Sequence, residues 1–458
     1  MRPFVVVALG LALLAGRASP MQRARLDSIV QSTTLENGLQ VIVLENPSIP
    51  FVTLEMVFKA GAFIQQDQNH AGLPHFIEHL LFRSGDGGSF EADATKIDAI
   101  WNGVTDTELV RYYFTFPSKH LADGMSLMAD LIRKPKFTQD AIEAERKVVR
   151  GELERRASEP DLLLLTEADA LLWGEHAWTS KSAGGNLIAL NATTPDQLRA
   201  LYERFYVPNN AALIVTGDVS DTDAVALATK AFKGWKRAAD PLATVRPAEI
   251  KPLSAIARKV FAAPVKDVTF LVRWHGPSVG ADPGATHAAD VFAGLVNQRV
   301  SATQRRLVDG GIVDVVSLAY ETLNHVGPIE LMARTSVDRG VEAAQALGEE
   351  IVKLTASDYF DEEDLAFAKK WLRVSAHFQL ERAQTAAHII ADFWSTAGLD
   401  YYLDYADALD GQTAGDVRKF VNDYIVGRPM AVVVMVPEDG GRALQSSIQR
   451  ALNTWRAP

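Results

Sequence analysis

Residues 72–82 read GLPHFIEHLLF. Pro74 suits the first turn of a helix, and Leu80, Leu81 and Phe82 supply its apolar positions, so the stretch predicts a short buried helix. His75 and His79 are four apart on it, which sends both imidazoles from one face toward the same point. Two neutral imidazoles at that spacing, with one carboxylate from elsewhere, make the open three-ligand site that a catalytic zinc requires. Glu78 stands one turn from His75, where it can take the proton of a water at the metal. The competing reading is an amphipathic helix that carries two histidines and no metal.

A third ligand has to come from another element. A charged helix is predicted over Asp140–Ala157, with Ile142, Val148 and Val149 as its buried points. Glu145 and Glu152 are seven apart on it, hence on one face. The same helix carries Arg146, Lys147, Arg150, Arg155 and Arg156, so its carboxylates read equally well as solvated ion-pairing groups. The spacing alone does not choose between Glu145 and Glu152. The chain has no cysteine, which removes thiolates and disulfides and leaves His and carboxylate as the metal donors.

Composition narrows the class. A length of 458 residues, 48% hydrophobic and 22% charged, supplies two full cores. A net charge of -11 argues against a nucleic-acid partner, which needs a basic face, and no Gly-rich phosphate loop occurs. Arg2 followed by the apolar run Phe4–Ala15 reads as a signal peptide over residues 1–18, cleaved after Ala18. Export by that signal makes a periplasmic or secreted protein the expectation, and no later stretch approaches a membrane span. Ser84 and Ser89 have no paired base and do not suggest a serine hydrolase.

Around the histidine helix, Thr33–Leu44 carries a strand–turn–strand pattern about Asn37-Gly38, and strands are predicted at Phe51–Lys59, Arg111–Phe116 and Ala211–Thr216. Thr194, Pro195 and Gln197 mark a capped helix to Tyr206. Pro241, Pro247 and Pro252 suggest a linker over residues 241–255. Beyond it the order strand (Val268–Trp274), helices (Thr286–Val308), strands (Val315–Ala333), helices (Val337–Thr396) and strand (Met430–Val436) repeats the first half. The expected fold is α+β: two consecutive versions of one roll-like unit, residues 28–240 and 256–458, each a mixed sheet with helices packed on it.

The run GLPHFIEHLLF resembles the pitrilysin, insulinase and mitochondrial-processing-peptidase family of zinc endopeptidases, in its short two-domain bacterial periplasmic form. Its motif is the inverted H-x-x-E-H. Asn102–Tyr113 (NGVTDTELVRYY) is similar to the family's Asn-x-x-Thr segment and following strand. Glu145-Arg146, Val149 and Glu152-Leu153 are similar to its E-R-x-x-V-x-x-E helix, whose last Glu binds zinc. His176–Trp178, Pro208-Asn209-Asn210 and Val215–Val219 continue the pattern. The resemblance implies that Glu152 is the third ligand, Glu145 an auxiliary acid beside the site, and Asn102 a contact for substrate backbone. It also implies Zn2+ as cofactor, peptides or unfolded polypeptides as substrates, and a closed chamber built from two such chains, as a homodimer or as a heterodimer with a related chain lacking H-x-x-E-H.

Two departures stand out. The interval between His79 and Glu152 is a few residues short before Asn102. In the metal-free half the family often places an Arg and a Tyr that bind substrate, but Leu307–Ser317 (LVDGGIVDVVS) offers neither, and Asp314 stands where the tyrosine would align. Tyr320 and Arg334 are the nearby candidates, against an ordinary strand tyrosine and a surface arginine. The alternative to an endopeptidase is therefore a non-catalytic or partner-dependent binding and assembly subunit. The intact His75, Glu78, His79 and Glu152 argue against it.

Overall fold

The computed structural model describes residue 26 and residues 28–65, 67–83, 90–176, 183–247 and 249–457. The expected signal peptide at residues 1–18, and Ser84, Ser89 and Trp178, lie outside the described residues. Among those described, no helix is long and apolar enough to cross a membrane.

Eleven strands are described: β1 (Val30–Thr34), β2 (Gln40–Glu45), β3 (Phe51–Phe58), β4 (Ile100–Thr105), β5 (Val110–Pro117), β6 (Ala211–Gly217), β7 (Ala257–Ala263), β8 (Val268–His275), β9 (Val315–Tyr320), β10 (Pro328–Thr335) and β11 (Ala431–Pro437). They form two sheets, ordered β1-β2-β6-β3-β5-β4 and β7-β11-β8-β10-β9. In the first, β2 is parallel to β6 and the other neighbours are antiparallel. In the second, β7 is parallel to β11 and the rest are antiparallel. Setting aside the edge strand β1, the two sheets have the same order and directions. The expected pair of like α+β units is what the chain builds.

The hydrophobic patterning explains which strands are central. β6 (AALIVTG) and β11 (AVVVMVP) are buried along their whole length, as strands covered on both faces must be. One face of the first sheet, with Val41, Val43, Leu54 and Met56, packs against Phe76, Ile77 and Leu80 of the histidine helix and its neighbours. The opposite face, with Ile42, Leu44, Val57 and Ile214, is covered by a helix of the second half, Ala383–Thr396, through Ala387, Ile390 and Trp394. The second sheet receives the reciprocal cover: Leu164 and Ala168 of helix Pro160–Trp173 lie on Leu271, Val433 and Met435. Each half thus lends one helix to the other's sheet. Polar contacts fix the exchange, Thr216 Oγ1 donating to the Ala383 carbonyl at 2.7 Å and Arg273 pairing with Asp169 at 2.6 Å.

Several sequence expectations need revision. The helix expected at Asp140–Ala157 runs Gln139–Arg156, capped by Thr138. Val148 on it is 46% exposed, because the inward stripe is Ile142, Glu145, Arg146 and Val149, at the three-, four- and seven-residue spacing of one helical face. Thr286–Val308 is one α-helix, Pro283–Asn297, followed by a π-helical turn at Gln304–Asp309. Helix Pro160–Trp173 was not anticipated, since its unbroken Leu162–Leu165 run hides any period.

Candidate metal centre

The histidine helix spans Leu73–Leu81 and starts from Gly72, which has φ 88. A Cβ there would sit 2.7 Å from the Gly185 Cα, so the left-handed start and the close crossing of residues 184–185 both require glycine. Only His79 of the nine helical residues is not buried. A helix this enclosed is held by packing all round, which fixes the directions of its polar side chains.

That helix packs across Gln139–Arg156 and brings two donor sets together. His75 Nε2 and His79 Nε2 are 3.3 Å apart, and Glu152 Oε2 lies 3.6 Å from the first and 3.3 Å from the second. Among the described residues, His75, His79 and Glu152 are the group of donors that converges closely enough to share an ion, all within 4.8 Å of one another. The remaining nitrogen of His79 is taken: Nδ1 is 3.1 Å from Glu145 Oε1. Glu145 is itself held by Arg83 Nε at 2.7 Å, and Arg156 Nε lies 3.1 Å from Glu152 Oε1. A carboxylate on the far nitrogen of a ligating histidine fixes its tautomer and orientation, so these residues fit a divalent metal such as zinc. The two glutamates of one helical face therefore grip opposite sides of one imidazole.

The electrostatics follow from that grip. Burial pushes His79 down, but hydrogen bonds to Glu145 and Glu152 outweigh it and raise its pKa to about 9. Burial, together with the neighbouring His79, lowers His75 to about 4. The hydrogen bond from His79 draws Glu152 down to about 2. A proton on His79 here occupies a position that a cation can claim.

Glu78 points into the same space from between the two histidines. Burial raises its pKa to about 7, against the hydrogen bond that Thr105 Oγ1 donates to its Oε2 at 2.6 Å. Gly103 leaves room for it: a Cβ at that position would stand 2.7 Å from Glu78 Cγ. Thr105 and Gly103 belong to β4, the edge strand of the first sheet, as does the exposed Asn102. A cavity of about 700 Å³ opens here, lined by the three donors, Glu78, Glu145 and Asn102 among others.

Among the described residues, the second half contributes none to the lining of this cavity. Tyr320 donates its hydroxyl to the Pro277 carbonyl at 3.0 Å, and the Arg334 side chain is exposed on β10. Asp314 pairs with Arg339 at 2.7 Å. Sequence reasoning quoted Thr105 only as the end of the Asn-x-x-Thr segment and assigned it no contact, its link to Glu78 crossing 27 positions, and it misjudged Arg146. Arg146 is buried and donates to the carbonyls of Leu190 and Thr193, anchoring the Glu152 helix.

The sequence profile of the insulinase family (Peptidase family M16) matches residues 40–181, and that of the peptidase M16 inactive domain matches residues 192–372. The chain is 30% identical over 203 residues to an uncharacterized zinc protease of Mycobacterium leprae, covering 44% of this chain and 45% of that one. It is 23% identical over 422 residues to the zinc protease PqqE of Helicobacter pylori, 89% of this chain and 93% of the relative. The alignment with the mycobacterial protein thus spans less than half of that relative's length. The first half of the periplasmic protease PqqL from Escherichia coli superposes with a TM-score of 0.75 at 19% identity, over 94% of this chain and 98% of the other.

Proposed function

Because the chain belongs to the insulinase family of M16 peptidases, we propose that it is a zinc endopeptidase with His75, His79 and Glu152 as metal ligands and Glu78 as general base. The observation that carries this reading is the convergence of three donor atoms beside a buried carboxyl whose pKa is raised, on one cavity wall. Bound zinc supplies Lewis acidity, polarising a peptide carbonyl and lowering the proton affinity of a water. Glu78, with a pKa near 7, takes the proton of the attacking water and returns it to the departing amine. Thr105 holds the Oε2 of Glu78, and Glu145 keeps the His79 ring in place.

The substrate is an extended peptide. β4 is an edge strand, so a peptide can add to it through main-chain hydrogen bonds, with Asn102 as a side-chain contact. Residues 28–240 would be the metal-bearing unit and residues 256–458 the metal-free one, joined by 241–255. The superposition on the first half of a longer periplasmic protease supports an exported chain, with residues 1–18 as its signal, that works beside a second unit of the same kind. That partner, another copy or a related chain without H-x-x-E-H, closes the cavity and supplies the substrate-binding donors not found here. The absence of Tyr320 and Arg334 from the cavity lining favours such partner dependence.

Glu78→Gln tests the reading. The variant should keep its zinc while cleavage of an unstructured peptide falls by about two to four orders of magnitude. Near-normal turnover would overturn the assignment of the base.

A further inference from the structure

We propose that Glu108 is a positioning residue of the metal centre: from the turn of the β4–β5 hairpin it clasps the second half of the chain and so holds Thr105 against Glu78. Its consequence for turnover rests on the peptidase reading, whereas the clasp itself rests on geometry alone.

The edge strand β4 is hydrogen-bonded to β5 on one side only, yet it presents Thr105 Oγ1 to Glu78 Oε2 at 2.6 Å. Its placement therefore leans on the turn that follows, residues 106–109. That turn is closed by the Asp106 N–H on the Leu109 carbonyl at 2.9 Å. From its own half it is gripped by Ala62 and Phe63, whose N–H groups donate to the Asp106 and Thr107 carbonyls, each at 2.9 Å. A Cβ on Gly61 would stand 2.4 Å from the Asp106 oxygen, so this approach demands glycine.

The other grip comes from the second half. Glu108 is 5% exposed, and its two carboxylate oxygens accept the N–H groups of Asn324 at 2.9 Å and His325 at 3.2 Å. Both donors lie in the turn between β9 and β10, the counterpart of the β4–β5 turn in the second sheet. That turn is tied down in its own half, Val279 N–H donating to the Leu323 carbonyl and Gly327 N–H to the Pro277 carbonyl, each at 3.0 Å. The His325 ring also meets Phe63 edge-on at 5.9 Å. Charge-assisted bonds to both oxygens fix the direction of a buried carboxylate as well as satisfying it. Burial lowers the pKa of nearby Lys59, and the Glu108 charge opposes it. The exchanged helices already join the halves, through Thr216 and Arg273 among others. A clasp at the hairpin tip thus adds position more than cohesion, and it does so three residues from Thr105.

Glu108→Gln keeps the shape but turns one oxygen into an NH2 group that cannot accept. In the zinc-loaded full chain it should lower kcat on an unstructured peptide about 10-fold. KM and zinc content should stay within about two-fold of wild type. In a Thr105→Val background the same change should cost less than about two-fold, because the contact through which it acts is gone. Amide exchange of Ile100–Thr105 should quicken about 10-fold in Glu108→Gln while that of Leu73–Leu81 is unchanged, a readout that needs no turnover. A wild type that cleaves no peptide would fail the peptidase reading; unaltered exchange in β4 would fail the clasp. Glu108→Asp keeps the charge but draws it back by one carbon. It should show a smaller fall of the same kind, and it stands in if the Gln variant is unstable. Wild-type kcat in a folded, zinc-replete variant, or losses that multiply in the double variant, overturns the proposal.

Discussion

The hydroxyl oxygen of Thr105 stands 2.6 Å from Oε2 of Glu78, and donates to it from the edge strand across the mouth of the cavity. This bond favours the charged carboxylate, opposing the burial that raises its pKa to about 7. Thr105→Val should therefore move the acid limb of the kcat/KM profile to higher pH. It should also lower kcat roughly 10- to 100-fold, the range expected for losing a hydrogen bond to a charged group. Zinc content should not change, and Thr105→Ser should restore the profile. A profile identical to wild type would remove Thr105 from any role in holding the base.

Glu152 and Glu145 should separate in a metal assay, although both contact His79. Glu152→Gln removes a donor atom and should strip zinc from protein purified without added metal. Glu145→Gln leaves all three donors in place but loosens the His79 ring, and should weaken zinc about 10- to 100-fold. If the phenotypes are exchanged, the ligand lies two helical turns nearer the start of the helix.

Asp290 gives the second half its own pH dependence. Burial raises this carboxyl to about 7, against the hydrogen bond that Tyr405 donates at 2.7 Å. A folded-state pKa above the unfolded value of 3.8 means that the native form holds the proton more tightly. The stabilisation is full below about pH 4 and is lost as pH rises through 7. Asp290→Asn should flatten the fall in Tm between pH 5 and 8 and raise Tm at pH 8 by a few degrees. A parallel pH–Tm curve for the two proteins would refute this.

Activity on its own should be modest if the missing donors come from a partner. Losing one preorganised donor at a site of this type costs about two to three orders of magnitude. Mixing the chain with a related chain that lacks H-x-x-E-H should raise cleavage of an unstructured peptide by that order. Rapid cleavage by the purified chain alone would show that its own residues, Tyr320 or Arg334 among them, suffice.

The parts of the site that were legible in the sequence are those set by spacing within one helix. His75, Glu78 and His79 needed only the helical period. Glu145 and Glu152 were legible as a pair, because seven residues return to one face, but nothing local says which face meets a neighbouring helix. The role of Thr105 was illegible for the same reason: its partner is chosen by how the edge strand crosses the histidine helix. The sheets were readable where both faces are buried, as at Ala211–Gly217 and Ala431–Pro437. Helix Pro160–Trp173 was not, since it is covered by residues far along the chain, among them Leu271, Val433 and Met435, and its leucines carry no period of their own.

The reciprocal loan of helices has a consequence for how the molecule comes into being. Neither sheet can be sealed from water until the opposite half has been made, so the nascent amino-terminal half waits on residues 383–396 before its far face is dry. Melting should then be one event, with no step at which a single half survives. A protease that cuts within residues 241–255 would nick the backbone without freeing either fragment, because each remains clasped by an arm of the other.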